Sequence, residues 1–497
     1  MPCSCRMTYL LKLHPEITIK SRSVRQHMTR CLASNVRNTL RQLEEGVRVK
    51  GGWDALLVSL PDTLPAGRVE EMEDTLARIP GIHEILATEA VPCDSLDEAA
   101  AWIVPHWRAA IAGRRFRVRA KRRGDHDFSS MDLERRLGSA LLAAEPTARV
   151  DLKHPEIVVS VELTHRRLQL IRSRRPGLGG YPLGVQGQAL ALVSGGFDSP
   201  VAAWRMLRRG IKTHYLFFNL GGPAHETGVR EVTHHLWQRY SASHNVDFTS
   251  VPFEGVVAEI LRTIPDGLMG VILKRMMVRA ASRVAARAGI PALVTGDAIA
   301  QVSSQTLTNL ALIDAASELP ILRPLVTEDK QEIIDTARRI DTARFAEQMP
   351  EYCGVISRRP HTRAPADKVL AAEAEFDFRV LDAAIEAATV TRASRLREGQ
   401  RQPGEVTVVD SLASLARMPA VSVIDIRAPD EREAAPLELP EVPCLAIPFY
   451  ELQDQAQTLP GDRDYLLYCD QGVMSHMQAL HLKDRGMDHF GVLRHAC

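Results

Sequence analysis

The chain has 497 residues, which predicts three or four domains at about 150 residues per domain. Hydrophobic residues make up 45% and charged residues 25%, so the composition is that of a globular protein and excludes intrinsic disorder as a global description. A formal charge of +1 argues against a nucleic-acid-binding protein only if the charge is spread evenly. No run of 18 apolar residues and no signal-peptide pattern occurs, so we expect a cytoplasmic protein without a membrane segment.

Eight cysteines are scattered along the chain, and none forms a CxxC pair. A zinc site is therefore not expected, and no other metal-ligand pattern is visible. In a reducing compartment such thiols are usually free, and a disulfide that does form there is usually transient and catalytic.

The N-terminal segment combines a strand pattern with a basic helix. Alternation of apolar and polar residues from Met7 to Ile19 predicts a strand, and Ser21 is a typical helix N-cap. From Val24 onward apolar residues recur every three or four positions, which predicts one buried helix face. The opposite face carries five arginines, a pattern that alone is more often a solvated surface than a binding site: Arg22, Arg25, Arg30, Arg37 and Arg41.

Residues 113–124 predict a strand with one apolar and one cationic face, because Phe116, Val118 and Ala120 alternate with basic residues. Positive charges number seven in the window 111–124 and five in the window 165–175, and the first window has no acidic residue. A single-sign strand face is typical of phosphate contact rather than of a surface evolved for solubility. We therefore predict an RNA-binding face formed by Arg115, Arg117, Arg119, Lys121, Arg122 and Arg123.

Beyond a Gly/Pro-rich linker at residues 175–182, strand and helix patterns alternate, which predicts a doubly wound parallel sheet. Segment 365–400 is rich in Ala, Glu and Arg and predicts a helical connection. From about residue 404 a further α/β unit follows; residues 401–497 carry 8 positive and 15 negative side chains, so this unit should not bind RNA.

The hexapeptide Ser194–Ser199, SGGFDS, lies between a predicted strand and a helix that begins near Pro200. Its two glycines allow close approach to an anion, and the helix start offers free N–H groups. Neither a Walker A lysine nor a GxGxxG pattern accompanies it, so it is a different phosphate-binding turn.

Two cysteines stand in distinctive surroundings. Cys469 ends a predicted strand, and a six-residue loop leads to a helix near Met477, so loop N–H groups could stabilise a thiolate or persulfide. Cys353 lies in the segment 349–355; on its own, a lone cysteine is more often inert than nucleophilic.

These motifs resemble known ones. Ser194–Ser199 resembles the PP-loop of ATP pyrophosphatases, and the Cys469 loop resembles that of rhodaneses, with Met474 where many rhodaneses have arginine. Their order after basic modules is similar to that of the tRNA uridine 4-sulfurtransferase (4-thiouridine synthetase, ThiI) family in its long form. Further segments that resemble this family are Pro15–Ser21, Lys121–Ser130, Phe217–Gly222, Leu273–Ala281 and Glu351–Ser357.

The resemblance implies an α/β multidomain fold with four parts: a ferredoxin-like domain at 1–65, a THUMP RNA-binding domain at 70–174, a doubly wound PP-loop domain at 183–395 and a rhodanese-like domain at 404–497. It also implies ATP with Mg²⁺ as cofactors. Asp198 would act with magnesium and Lys330 would assist catalysis, although a surface helix lysine is an open alternative. The implied ATP-site residues are Leu192, Val193, Ser194, Gly195, Gly196, Ser199, Phe217, Phe218, Lys274, Gly296 and Gln305.

The implied reaction transfers sulfur from a cysteine desulfurase through a Cys469 persulfide to C4 of uridine 8 in tRNA, after ATP has adenylated the C4 oxygen. Cys353 would resolve the linkage through a transient disulfide with Cys469. The implied partners are tRNA, the desulfurase and, through a second role in thiamine biosynthesis, a sulfur-carrier protein; a homodimer is left open. Two alternatives are an ammonia-using PP-loop synthetase and an RNA-binding scaffold with a degenerate PP-loop.

Overall fold

The computed structural model describes most of the chain. The described residues are 8–53, 55–61, 64–124, 126–164, 166–220, 222–347, 359–398, 406–415, 417–418, 420–427, 429–437, 439, 442–470 and 472–494. They form two compact units, one of residues 1–186 with 208–210 and the other of residues 187–207 with 211–497. Among the described residues no helix combines the length and hydropathy needed to cross a membrane.

The first unit contains a single eight-stranded sheet of order β2-β3-β1-β4-β8-β7-β5-β6. Strand β4 pairs with β1 on one side and with β8 on the other, so strands from both predicted N-terminal domains share this sheet. Two separate hydrophobic cores pack on it, one around Tyr9 and Leu32 and one around Phe116 and Leu137. The elements are β1 Thr8–Leu13, α1 Pro15–Thr18, α2 Arg22–Arg41, β2 Arg48–Gly51, β3 Ala55–Ser59, α3 Ala66–Arg78, β4 Ile82–Pro92, α4 Leu96–Ile111, β5 Arg115–Arg123, α5 Ser130–Ala144, β6 Arg149–Val150, β7 Ile157–Thr164 and β8 Arg167–Pro176.

The predicted strand at Met7–Ile19 is too long. Strand β1 ends at Leu13, and Pro15 begins the short helix α1, since proline suits a first helical turn where no N–H is needed. Helix α2 follows its N-cap Ser21 as predicted, but Val24 is 41% exposed and lies off the buried face. In β5, Phe116, Val118 and Ala120 are buried, which confirms the predicted alternation.

The first part of the second unit is a six-stranded sheet of order β13-β12-β9-β10-β11-β14. Its first five strands are parallel, which confirms the doubly wound prediction. The segment 365–400 is not purely helical, because Thr389–Arg392 pairs antiparallel with β11 at the sheet edge. The elements are β9 Gln188–Leu192, α6 Asp198–Arg208, β10 Lys212–Asn219, α7 Gly222–Leu236, β11 Asp247–Pro252, α8 Glu254–Thr263, α9 Met269–Arg287, β12 Leu293–Val294, α10 Leu307–Asp314, β13 Ile321–Leu322, α11 Lys330–Arg339, α12 Ala343–Ala346, α13 Ala366–Ala374, α14 Phe378–Glu386 and β14 Thr389–Arg392.

The last part is a five-stranded sheet of order β15-β19-β18-β16-β17, and all its pairings are parallel. Within the second unit, α18 packs against α7 and α17 against α8, so the two sheets share one hydrophobic cluster. The elements are β15 Val408–Val409, α15 Leu412–Leu415, β16 Val421–Asp425, α16 Pro429–Ala434, β17 Cys444–Ala446, α17 Phe449–Ala456, β18 Asp464–Tyr468, α18 Val473–Asp484 and β19 Phe490–Leu493.

Candidate functional site

The PP-loop connects β9 to α6 at the carboxyl edge of the central sheet. Strand β9 pairs with β10 on one side and β12 on the other, so the loop lies where the strand order reverses, the usual ligand crevice of an open α/β sheet. Gly195 adopts a left-handed φ of 82°, which a side chain would disfavour. The Ser194 N–H donates to Ser199 Oγ over 2.9 Å, and this bond closes the turn. The sequence thus forms the compact turn between strand and helix that was predicted.

Gly296 packs against the backbone of the PP-loop, which is possible because glycine has no Cβ atom. A Cβ atom there would lie 2.9 Å from both the Asp198 carbonyl carbon and the Ser199 nitrogen, too close for any side chain. The segment after β12 therefore lies directly against the backbone of the PP-loop. Gly296 was predicted as an ATP contact, and its position beside Asp198 is compatible with that role.

The Asp198 carboxylate is held by two side chains. Lys330 Nζ donates to Oδ1 over 2.7 Å, and Gln301 Nε2 donates to Oδ2 over 2.8 Å. Lys330 is the first residue of α11, and the side chain of Asp329 caps that helix. The structure thus brings two predicted residues, 132 positions apart, into contact. Gln301 was not among the predicted site residues, although it lies in the same polar segment as Gln305.

Asp297 is the centre of a buried polar cluster. Burial would raise the pKa of Asp297, but Lys274, Thr295 and Arg323 hold it well below its usual range. Lys274 Nζ donates to Oδ1 over 2.7 Å, and Arg323 Nε donates to Oδ2 over 3.3 Å. Sequence reasoning found Lys274 but missed Arg323, because a single arginine beside a two-residue strand shows no pattern.

Gln305 offers the clearest test of whether a nucleotide fits this edge. Its Nε2 donates to Asp297 Oδ1 over 3.1 Å, whereas its Oε1 is buried and has no hydrogen-bond partner among the described residues. A buried, unpaired acceptor is costly unless a ligand donor completes it, and an adenine amino group or a ribose hydroxyl is such a donor. The residues present therefore fit ATP.

The apolar residues predicted to line the ATP site are mostly buried in the core. Val193, Phe217 and Phe218 are buried, and Phe217 packs edge-on against His225 with ring centroids 4.7 Å apart. Their side chains belong to the core beside the carboxyl ends of β9 and β10. Leu192 is partly exposed.

His225, in the first turns of α7, was also missed. Burial lowers the pKa of His225 to about 4, and the backbone of Ser194 interacts with its ring. The imidazole is therefore neutral at pH 7 and links α7 to the first residue of the PP-loop. The motif at 217–222 directs attention to this region, but nothing in the sequence shows that the ring is buried.

A magnesium ion bound to a nucleotide needs few protein ligands. No group of three or more His, Cys, Asp or Glu side chains among the described residues could hold a metal ion. Protein sites for Mg²⁺ often supply one or two carboxylates and leave the other positions to phosphates and water. Asp198 is the carboxylate in the PP-loop that fits this pattern.

The second chemical centre is the turn after β18. The predicted six-residue loop is too long, because α18 begins at Val473. Gly472 has a left-handed φ of 70°, which lets the chain enter the helix at once. Ser475 consequently lies in the first helical turn, and its N–H donates to Cys469 Sγ over 3.3 Å. The Cys469 and Ser475 side chains are 3.4 Å apart, so the sulfur has a backbone donor and a hydroxyl beside it.

Arg427 supports this turn from the neighbouring strand. Its side chain is buried, and its hydrogen bonds to Asp425 hold the pKa of Arg427 above its usual value. Arg427 Nη1 also donates to Asp470 Oδ1 over 2.8 Å, next to Cys469. The Asp425–Arg427 pair thus fixes the base of the sulfur-bearing turn.

The other cysteine of the predicted relay is not placed. Cys353 lies outside the described residues, so the Cys353–Cys469 pairing stays a prediction. Within the described part of the chain, the cysteines are free thiols: Cys31, Cys93, Cys444 and Cys469.

The predicted RNA-binding residues belong to β5, but they differ in availability. Arg115 is bound to Glu156 over 3.2 Å, and Arg122 donates to the His126 carbonyl over 3.2 Å. Arg117 donates to the Leu152 carbonyl over 2.9 Å. Arg119 and Lys121 are exposed and have no polar partner among the described residues, whereas the side chain of Arg123 lies outside them.

Comparison with known proteins assigns the chain to a family. Three family models match it: the ThiI ferredoxin-like domain over residues 8–85, the THUMP domain over 94–171 and the thiamine biosynthesis protein ThiI over 184–378. A tRNA sulfurtransferase of Edwardsiella ictaluri is 47% identical over 98% of this chain and 100% of its own length. One of Marinobacter nauticus is 49% identical over 97% and 98%.

A solved structure also resembles this chain. It is a crystal structure of a 4-thiouridine synthetase–RNA complex with bound ATP, 25% identical to this chain, with a TM-score of 0.69. The match covers 78% of this chain and 99% of that one. The chain therefore belongs to the tRNA sulfurtransferase family.

Proposed function

We propose that this protein uses ATP to transfer sulfur to C4 of uridine 8 in tRNA, giving 4-thiouridine. The observation that carries the proposal is the presence of two anion-stabilising turns on one chain. One, at Ser194–Ser199, suits a polyphosphate, and the other holds the sulfur of Cys469. The names of the full-length relatives support the same reaction.

The PP-loop turn would serve the activation step. The C4 oxygen attacks the α-phosphorus of ATP, and pyrophosphate leaves toward the N–H groups of Ser194–Ser199. Lys330 and Gln301 hold the Asp198 carboxylate in one orientation beside this turn. Magnesium bound with ATP would neutralise phosphate charge, and Asp198 is the side chain that would hold it. Activation converts a poor oxide leaving group into AMP.

The Cys469 turn would serve the sulfur step. A cysteine desulfurase donates sulfane sulfur to Cys469, and the Ser475 N–H stabilises the resulting persulfide anion. The terminal sulfur attacks C4 and AMP leaves; the Cys353 thiolate then attacks Cys469 Sγ and releases the thiouridine. The product disulfide joins Cys353 to Cys469, and an external dithiol reduces it. Direct attack by sulfide released from the persulfide is the alternative delivery route.

Binding of tRNA would use the cationic face of β5, where Arg119 and Lys121 are exposed. The structural relative is an RNA complex, which supports RNA binding by this chain. The proposed domain limits are 1–65, 70–174, 183–395 and 404–497. Delivery of the same sulfur to a sulfur-carrier protein for thiazole synthesis is a further proposed role, which the family model named for thiamine biosynthesis supports.

The test is in-vitro thiolation of unmodified tRNA with ATP, a cysteine desulfurase and free cysteine, read as retardation in an organomercury gel. We expect Cys469→Ser to abolish thiolation while ATP-dependent release of pyrophosphate in the presence of tRNA continues. By the resolving route, Cys353→Ser should stop before product release and leave the tRNA joined to Cys469 through a disulfide. Cys444→Ser is the matched control, because Cys444 is exposed on β17 and has no assigned role.

Thiolation by Cys469→Ser at the wild-type rate would contradict the sulfur relay. An ammonia-using synthetase would instead release pyrophosphate with an ammonium donor and leave no thiolated RNA. Tight binding of tRNA without any pyrophosphate release would favour the scaffold alternative.

A further inference from the structure

The segment 298–306 places two glutamines on the two acidic residues of the PP-loop site. Gln301 Nε2 donates to Asp198 Oδ2 over 2.8 Å, and Gln305 Nε2 donates to Asp297 Oδ1 over 3.1 Å. Two glutamines four residues apart thus bind two carboxylates, and these carboxylates differ in their other hydrogen-bond partners. Asp297 already has a lysine and an arginine, whereas Asp198 has Lys330 on one oxygen and Gln301 on the other.

Backbone hydrogen bonds keep this segment folded into a compact loop. The Ala300 N–H donates to the Gln305 carbonyl over 3.0 Å, and the Gln305 N–H donates to the Val302 carbonyl over 2.9 Å. From outside the loop, Asn309 Nδ2 donates to the Ser303 carbonyl over 2.8 Å. The folded backbone of this loop therefore sets the direction in which the Gln301 side chain leaves the chain.

Ala300 adopts a left-handed φ of 63°, one of the few non-glycine residues to do so in the described chain. For a residue with a Cβ this conformation costs roughly 1 kcal/mol, and it persists where the surrounding structure enforces it. The strained residue lies immediately before Gln301. A regular extended path at Ala300 would send Gln301 in another direction and break its contact with Asp198.

Asp198 is also confined from the backbone side. The missing side chain of Gly296 leaves room for the Asp198 backbone, since a Cβ there would lie 3.1 Å from Asp198 Cβ. With Lys330 at Oδ1, the remaining freedom of the carboxylate is rotation about its own bond, which would move Oδ2. Gln301 is the side chain that holds Oδ2.

We propose that Gln301 is a positioning residue that fixes the Asp198 carboxylate for the activation step; this inference rests on the proposed function. An amide is suited to the task because its NH₂ group donates without adding charge. A glutamate of the same length would bring a second negative charge to Oδ2 and repel it. Gln305 instead donates to Asp297 through Nε2 and leaves its Oε1 available to a ligand. Loss of Gln305 should therefore weaken ATP binding more than it slows the reaction.

The test compares Gln301→Ala, Gln301→Glu and Gln305→Ala in tRNA-dependent pyrophosphate release, and measures equilibrium binding of ATP separately. Displacement of a reacting group by about 1 Å can cost roughly 100-fold in rate. We expect Gln301→Ala to lower kcat about 10- to 100-fold with KM for ATP within about twofold, and Gln301→Glu to lower kcat further. Gln305→Ala should mainly raise KM and weaken ATP binding.

Gln331→Ala is the matched control. Gln331 Nε2 donates to Asp335 Oδ1 over 2.8 Å on the exposed face of α11, a glutamine–aspartate bond of the same length without a role in the site. Its kinetic constants and thermal midpoint should equal those of the wild type.

An unchanged kcat in Gln301→Ala would overturn the inference. So would a rise in KM equal to that of Gln305→Ala, since that result means general collapse of the loop rather than loss of positioning. Asp198→Asn distinguishes failure of the positioning role of Gln301 from failure of the proposed function. If Asp198→Asn is inactive but Gln301→Ala is fully active, only the positioning role fails; if Asp198→Asn is itself fully active, the proposed function of the PP-loop residues fails.

Discussion

The PP-loop site and strand β5 use charged side chains in opposite ways. In the PP-loop site each carboxylate has cationic or amide partners within hydrogen-bond distance, as at Asp198 and Asp297. On β5, Arg119 and Lys121 extend from an exposed strand face without a polar partner among the described residues. A reacting site needs charges fixed before the substrate arrives, whereas binding of a phosphate backbone needs charges free to replace counterions. The proposed function therefore assigns chemistry to the charges of one region and RNA affinity to those of the other.

The largest effect should follow from breaking the buried cluster. Asp297→Asn leaves Lys274 and Arg323 with one negative charge fewer in a buried site, which typically costs 3–5 kcal/mol. We expect a loss of about 3 kcal/mol in the free energy of unfolding, measured by urea denaturation. The matched control on the β5 side is Asp151→Asn, which removes a partly exposed partner of Arg115. Equal midpoint shifts in the two variants would contradict the contrast between the regions.

The next largest effect should be a loss of folding stability in acid through His225, which lies beside the PP-loop. Burial lowers the pKa of His225 to about 4 from an unfolded value of 6.5, so the unfolded chain binds the proton more tightly. The contribution of neutral His225 to stability is thus complete above pH 6.5 and is lost as the pH falls toward 4, by about 3 kcal/mol in total. In His225→Gln, stability against urea should fall less steeply over this range. Parallel curves for the variant and the wild type would show that His225 does not contribute.

Removal of charge from β5 should change RNA affinity and leave stability intact. The triple variant Arg117→Gln, Arg119→Gln, Arg122→Gln should bind tRNA at least about tenfold more weakly. Its plot of log affinity against log salt should lose a slope of roughly 2 to 3, about one for each phosphate contact. Fluorescence anisotropy at several salt concentrations measures both quantities. Unchanged affinity and slope would remove β5 from the RNA-binding surface.

The smallest effect separates the arginines of β5 from one another. Arg115 is already bound to Glu156 and Asp151, whereas Arg119 has no such partner among the described residues. Arg115→Gln should therefore weaken tRNA binding less than twofold, and Arg119→Gln several-fold, in the same anisotropy assay. A larger loss for Arg115 would mean that RNA displaces its carboxylate partners.

Much of the site was predictable because its central motifs are local. Ser194–Ser199 forms its turn through residues five positions apart, and Cys469 and Ser475 meet six positions apart. Such contacts depend on glycine conformations and helix starts, which short sequences encode. The alternation in β5 likewise follows from the two-residue repeat of a strand.

The partners of these motifs were less predictable because they come from distant segments. Gln301 and Lys330 reach Asp198 from 103 and 132 residues away. Lys330 was identified through a family resemblance, and Gln301 was not among the predicted site residues. The antiparallel strand Thr389–Arg392 was missed for a related reason, since four residues at a sheet edge receive their conformation from β11 rather than from their own pattern.

By itself, the sequence determined the order of the modules, the two anion-stabilising turns and the separation of basic and acidic regions, because each depends on neighbouring residues and on composition. The tertiary structure alone decided which carboxylate meets which cation, that His225 is neutral, and that Gln301 holds Asp198. Those properties depend on burial and on contacts between segments about a hundred residues apart, and a linear pattern contains neither.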